Sequence, residues 1–563
     1  MITRRDFLTA AASAAALVSG GTLGGSRVFA QGVRQDDLLR FDATGNITLL
    51  HITDLHGQLM PLYFREPSIN IGVGEAKGKV PHFTGADVRK AFNLEARSPI
   101  AHALTYEDFS ELAKTYGRMG GVDRIATLVK AIRAERPGKC LLLDGGDTWT
   151  NSWTSYKTRG QDMVDVMNLL KPDAITGHWE FTLGDERVKE IVDQLPFAFL
   201  AQNILESEFE DRVFPAQKTF EVGGAKVAVI GQAFPFTPIA NPRWMIPKWT
   251  FGIREKELQA EVEKVRGEGA ELVVLLSHNG FDVDRKLAAR VAGIDVILSG
   301  HTHDALPEPV RVGETLIIAS GSHGKFLSRL DLEVKHGRVT DHAFALIPVL
   351  SDAIEPDREM ASLIDSIRKP HEAHLSKEVG RTEGLLFRRG TFGGSLDDLI
   401  CDALLKGRDA EIAFSPGFRW GTTLVPGQPI TWDDIYNATA ITYPYVYRNA
   451  MTGAEIKAVL EDVADNLFNP DPYYQQGGDM VRVGGMGYTI NVDAEMGQRI
   501  TGMYMVGNGA QIDLKRKYIV AGWGSVNENT KGPPVWDLIA NHLTKQTVLS
   551  PRDRAAVKFV RAN

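Results

Sequence analysis

The sequence predicts an α/β fold divided into two domains, and three observations predict it. Short apolar runs alternate with helical patterns through the first 350 or so residues, and that alternation builds a core of strands covered by helices. Several of the runs break off at Gly with His or Asp beside it; ligands of α/β sheets sit beyond such strand ends. At 563 residues the chain is also too long for one ordinary hydrophobic core.

Residues 1–30 stand apart from the fold. Arg4-Arg5 precedes Asp6-Phe7-Leu8, an Ala-rich and weakly apolar run follows, and Val28-Phe29-Ala30 offers small residues at cleavage spacing. This pattern is a twin-arginine secretory signal, which resembles those of the route that exports folded proteins. It predicts a soluble periplasmic protein, since no later apolar stretch reaches bilayer length.

A first domain is expected over 31–350. Its first strand, 47–53, ends in Asp54-Leu55-His56-Gly57. Residues 57–115 show no periodicity; a segment that long without a pattern is usually functional, and because it leaves directly from Asp54 and His56 it is expected to lie near the site and to wall a channel leading to it. A helix is expected over 117–136, with Val122, Ile125, Leu128, Val129 and Ile132 on one face and Pro137-Gly138 as its stop. The strand 140–143 ends in Asp144-Gly145-Gly146-Asp147, and a helix follows over 162–170. The run 173–176 ends in Gly177-His178-Trp179-Glu180-Phe181. Further strands are expected at 196–200, 226–230, 272–277, 296–299, 315–319 and 329–334, with helices at 258–266 and 285–292. Of these, 272–277 ends in His278-Asn279-Gly280, and 296–299 ends in Gly300-His301-Thr302-His303. Residues 351–377 are charged and helical in pattern and read as a connecting helix in which His371 and His374 are solvated. A second domain follows over 378–563, with helices at 396–404 and 452–466, a strand at 411–414 and a Gly-rich stretch at 477–487.

The formal net charge of −8 argues against nucleic acid as a partner and gives no sign of a basic membrane-binding surface. Cys140 and Cys401 fall in different domains, so they read as free buried thiols rather than a disulfide or a thiolate metal site.

The strand ends supply seven candidate metal donors: Asp54, His56, Asp147, His178, His278, His301 and His303. Mixed imidazole and carboxylate donors suit Mn, Fe or Zn, whereas Ca and Mg prefer oxygen alone. Seven are too many for one ion. They suit two ions about 3.5 Å apart, bridged by a carboxylate and a water or hydroxide, as in two-metal hydrolases.

This ordered set resembles the calcineurin-like metallophosphoesterases and, more narrowly, the 5′-nucleotidase superfamily. The resemblance implies a sandwich of two mixed β-sheets flanked by helices, followed by a C-terminal α/β substrate domain of the 5′-nucleotidase type. It also implies that one ion takes Asp54, His56 and His303, that the other takes His178, His278 and His301, and that Asp147 bridges them. A hydroxide between the ions would be the nucleophile.

Two departures from that family narrow the chemistry. Nucleotidases carry Gly-Asn-His-Glu-Phe, whose His protonates the leaving group; here Trp179 stands in that position, and indole is no general acid. A leaving group that needs little protonation is implied. In the second domain Ser415-Pro416-Gly417-Phe418-Arg419-Trp420 replaces an Asn-Gly-Gly-Ile-Arg segment, and Arg419 survives; a guanidinium suits an oxyanion held bidentately. Residues 177–182, the Gly146-Asp147-Thr148-Trp149 segment and the twin-arginine signal together are similar to the SoxB thiosulfohydrolase family of the bacterial sulfur-oxidising (Sox) pathway. That resemblance implies a periplasmic dimanganese enzyme of thiosulfate oxidation, with Zn or Fe as other possible ions. Its substrate would be a sulfur-carrier protein bearing a cysteine S-thiosulfonate on a flexible C-terminal arm, cleaved to sulfate and a persulfide. Asp147, Arg419 and Trp179 would then form the catalytic set, with Arg419 binding the sulfonate and Trp179 shaping the site. The alternatives are a periplasmic 5′-nucleotidase or phosphodiesterase, and a non-catalytic protein that captures an oxyanion at its metal site. Tyr443, Tyr445, Tyr447, Tyr473 and Tyr474 are not read as a base clamp. His51 reads as core, His323 as lying behind the ligands, and His82, His102, His336 and His342 as surface.

Overall fold

A computed structural model describes residues 32–545, 548–549 and 556–561; the twin-arginine signal expected at 1–30 lies outside the described residues. The expected sandwich is present. One six-stranded sheet runs in the order Arg338–Pro348, Phe326–Lys335, Ile47–Ile52, Cys140–Asp144, Ala174–Ile175, Ala198–Phe199. The other runs Val310–Val312, Thr315–Ala319, Val296–Ser299, Leu272–Ser277, Ala225–Gln232, Gln217–Val222. Each has parallel strands at its centre and an antiparallel hairpin at an edge.

The uninterrupted apolar runs follow from burial on both faces of each sheet. Side chains alternate across a strand. Leu49, Leu141, Val274 and Leu298 therefore meet between the sheets. Their neighbours Leu50 and Leu142 face helices Val122–Glu135 and Gln161–Leu170, while Val273, Leu275 and Ile297 face helices Glu255–Gly267 and Phe281–Ala288. The five donor-bearing strand ends thus come from two sheets, three from one and two from the other.

Two expectations change. Residues 57–115 hold the short helices Ala86–Ala91, Pro99–Leu104 and Phe109–Tyr116. His102 is buried there, its ring 5.4 Å from Phe109, and is not a surface residue. The connecting segment holds helix Arg358–Arg368, whose Met360 and Ile364 pack into the core of the first domain. His374 beyond it is not merely solvated: its Nε2 lies 3.0 Å from the Tyr436 hydroxyl.

In the second domain a sheet of Val446–Thr452, Lys517–Trp523, Ile412–Ser415 and Arg482–Gly484 packs with helix Ser395–Arg408. The two domains interlock. Trp153 stacks on Tyr436 at 4.0 Å, Lys286 pairs with Asp471 at 2.5 Å, and the Thr423 amide donates to the Tyr63 carbonyl at 2.7 Å. Cys140 and Cys401 are both free as expected, but only Cys401 is buried; Cys140 is half-buried. Among the described residues no helix is long and apolar enough to cross a membrane.

The layer between the sheets fixes where the strand ends meet. Leu298 is 1% exposed in that layer, so Leu298→Ala is expected to cost about 2–5 kcal/mol of first-domain stability. Urea unfolding of the metal-free protein measures it, and a loss below about 1 kcal/mol would contradict this packing.

Candidate metal centre

Each donor sits in the turn directly after its strand, and the turns are tight. Asp54, His56, Asp147, His301 and His303 all have positive φ, between 51° and 75°. Left-handed backbone is uncommon for residues other than Gly and clusters at functional sites.

The turns bring all seven predicted donors together. Asp54, His56, Asp147 and His303 form one buried group, and Asp147, His178, His278 and His301 form another; within each, the donor atoms lie within 4.8 Å of one another. Asp147 belongs to both. Its Oδ1 accepts from the Trp179 amide at 2.7 Å, while Oδ2 lies 3.2 Å from His178 Nδ1 and 3.0 Å from His278 Nε2. Asp54 Oδ1 lies 3.2 Å from His303 Nε2, and its Oδ2 accepts from Thr53 Oγ1 at 2.6 Å.

Outer partners orient the rings. His278 Nδ1 donates to the Gly145 carbonyl at 2.6 Å, and His301 Nε2 donates to the Gln476 carbonyl at 2.9 Å. His56 Nδ1 faces Asn151 Oδ1 at 3.1 Å, and His178 Nε2 faces Asn241 Oδ1 at 3.1 Å. An oxygen acceptor fixes the proton on the outer nitrogen and turns the lone pair of the other toward the centre. His56 Nε2 then turns its lone pair inward, 2.9 Å from His303 Nε2, whose own outer nitrogen Nδ1 has no hydrogen-bond partner among the described residues. The donor set therefore fits two divalent cations.

The electrostatics of the metal-free cluster agree. Burial opposes ionisation of Asp147, but His178 and His278 outweigh it and hold the carboxyl well below its usual range. Burial likewise disfavours charge on His278, yet Asp147 and Asp54 push its pKa up to about 10. Burial, with Asp147 beside it, lifts Asp54 to about 7. Burial lowers His56 to about 4 and holds His301 and His303 well below the ordinary value. One protonated imidazole, His278, thus stands where cations would.

Sequence reasoning missed the residues behind the donors. The buried Glu180 carboxylate accepts from the amides of His178 at 2.7 Å, Thr148 at 2.6 Å, and Asp147 and Trp149 at 3.3 Å, which ties two strand ends together. Its place inside Gly-His-Trp-Glu-Phe was a usable signal. Asn151 and Asn241 are single loop residues and gave none. Asp284 accepts from Ser277 Oγ at 2.7 Å and Ser299 Oγ at 2.6 Å, joining the two strands before His278 and His301. His51 is buried on Ser320 Oγ at 2.6 Å, and the His323 ring lies 5.5 Å from that of His56.

A cavity of about 160 Å³ opens over the cluster, lined by donors and by Trp179, Phe234, Phe418, Arg419 and Trp420. Trp179 is 5% exposed, edge-on to Phe418 at 5.2 Å and Trp420 at 4.8 Å. Phe418 and Trp420 stack on each other at 4.1 Å. Arg419 uses three of its five N–H groups on Asp479 Oδ1 and the Thr302 and Gly478 carbonyls. The tyrosines are dispersed: Tyr443 stacks behind Trp179, Tyr473 donates to Glu255, and Tyr445 and Tyr474 are exposed. Residues 57–115 do not line this cavity. They line a neighbouring one of about 70 Å³, through Pro67, Asn70 and His82, together with His301, Thr302 and Arg419, and so lie beside the metal cluster as expected.

Residues 378–534 match the family model of the 5′-nucleotidase C-terminal domain. The chain is 28% identical over 319 residues to a snake venom 5′-nucleotidase of Naja atra, covering 51% of this chain and 59% of that protein. It is 26% identical to the Homo sapiens 5′-nucleotidase, over 70% of this chain and 74% of the relative. The chain therefore spans about three fifths of the venom relative's length. Among solved structures, the Thermus thermophilus sulfate thiohydrolase SoxB in complex with glycerol superposes with a TM-score of 0.90 at 39% identity, covering 93% of this chain and 98% of that one. A 5′-nucleotidase precursor from Thermus thermophilus gives 0.72 at 20% identity, over 92% and 100%, a likeness of fold.

If His278 holds a proton in the metal-free protein, metal must displace it. At pH 8, below the pKa of about 10, binding is expected to release about one proton from this ring. Calorimetry in two buffers of different ionisation enthalpy measures it; binding with no proton release would contradict a protonated His278.

Proposed function

We propose that this chain, which belongs to the SoxB family within the 5′-nucleotidase superfamily, is a hydrolase that cleaves the cysteine S-thiosulfonate of a sulfur-carrier protein in thiosulfate oxidation. Water adds its oxygen to the terminal sulfone sulfur and the S–S bond breaks. Sulfate leaves, two protons pass to solvent, and the carrier keeps a persulfide anion. Two divalent cations, when held by the two donor groups around Asp147, supply Lewis-acid charge that activates water and offsets the anionic substrate. We take them to be manganese; zinc or iron would also accept these donors.

The observation that carries this reading is Trp179. It follows His178 at the mouth of the cluster, packed between Phe418, Trp420 and Tyr443. Its indole offers no proton to a leaving group. A phosphate ester of an alcohol needs that proton, and a persulfide anion does not. Trp179 shapes the cavity and keeps water from its wall. Arg419 retains two N–H groups beyond its bonds to Asp479 and the two carbonyls; they suit sulfonate oxygens. The narrow cavity suits a substrate presented on a thin, flexible C-terminal arm. The twin-arginine pattern of residues 1–30 supports periplasmic export in the folded state.

A nucleotidase reading has the curated relatives on its side. Against it, Phe418 and Trp420 stack on each other and leave no slot between them for a base.

The manganese-loaded enzyme is expected to release sulfate from a thiosulfonated carrier. It should hydrolyse AMP at least about 10²-fold more slowly, the smaller end of what a missing general acid costs. Ion chromatography of sulfate and a phosphate assay measure the two rates. Rapid AMP hydrolysis without sulfate release would establish the nucleotidase instead.

A further inference from the structure

Three groups of the second domain converge on the turn that carries His301 and His303. The Gln476 carbonyl accepts from His301 Nε2 at 2.9 Å. Arg419 donates to the Thr302 carbonyl at 3.0 Å, and Arg389 donates to the same carbonyl at 3.3 Å and to that of His303 at 3.5 Å. Thr302 lies between the two His donors, both of which have positive φ, so the two guanidinium groups brace a strained turn. The chain beside Gln476 lies directly on the ring: a Cβ at Gly477 would sit 2.5 Å from His301 Nε2.

The outer nitrogens of His56, His178 and His278 are held by Asn151, Asn241 and Gly145, all in the first domain. His301 takes its outer partner from the second domain. A carbonyl on Nε2 fixes the tautomer, leaves the Nδ1 lone pair for a cation and sets the ring's angle. Such outer partners govern metal affinity as well as ligand orientation.

We propose that Gln476-Gly477, Arg389 and Arg419 are positioning residues for His301, so that the second domain sets the affinity of the ion held by Asp147, His178, His278 and His301. The proposal rests on the metal-binding part of the proposed function and is independent of the substrate. It has a mechanical consequence. Moving the second domain away from the first would break the Gln476 contact to His301 Nε2 and so loosen the ligand of one ion.

The test is titration of MnCl₂ into the metal-free full-length protein, comparing Gly477→Ala with Gly478→Ala. Both glycines have positive φ, 74° and 80°, so alanine strains the backbone at either. Only at 477 does the new Cβ press on His301; at 478 the nearest atom is 3.6 Å away. Gly477→Ala is expected to weaken one of the two binding events by about 10–100-fold. Gly478→Ala should keep both, and circular dichroism should show that each variant is folded. Wild-type affinity at both sites in Gly477→Ala, or an equal loss in Gly478→Ala, overturns the proposal. Should Gly477→Ala fail to fold, Arg389→Gln decides: weakened binding supports the positioning role and unchanged binding refutes it. A wild-type protein that binds no pair of ions would refute the metal reading itself, a result distinct from these.

Discussion

Asp147 is the group on which the rest of the structure depends. Its carboxylate is 1% exposed and stays ionised beside His178 and His278. A buried charge is costly unless it is paired and hydrogen-bonded. Meeting that requirement draws in five turns from two sheets, and five of the seven donors, Asp147 among them, have left-handed backbone there. Glu180 and Asp284 extend the same demand outward, each gathering donors from two neighbouring segments. The protonated His278 of the metal-free cluster is a partial answer to a charge arrangement made for cations.

The second domain meets this centre from two directions. Phe418 and Trp420 close over Trp179 and give the cavity an aromatic wall. Arg389, Arg419 and Gln476 reach through to the His301–His303 turn. On the proposed function, adjacent residues of the second domain would serve substrate selection and metal positioning, with Arg419 in both roles. An aromatic wall in place of an acid suits a leaving group that is stable as an anion.

Much of the centre was legible in the sequence because its donors follow directly on apolar strands, where Asp-x-His, Gly-Gly-Asp, Gly-His and Gly-His-Thr-His stand out. The sheet to which each strand belongs was not legible, since pairing such as Leu49 with Leu330 joins residues far apart in the chain. The helices Ala86–Ala91, Pro99–Leu104 and Phe109–Tyr116 are too short to show a period. They hid within 57–115, which therefore read as patternless. Gln476 acts through its backbone carbonyl and Asn241 as one loop amide, so neither residue type advertises its role. Trp179 was readable as a departure from a motif, but its packing partners came from the other domain.

The central claim is that one carboxylate joins two metal sites. Metal analysis of Asp147→Asn after loading with manganese tests it most directly. The account predicts that both ions are lost together, because the amide removes the charge shared by the two donor groups. A variant that retains two ions per chain, or that loses one and holds the other at wild-type affinity, would contradict it.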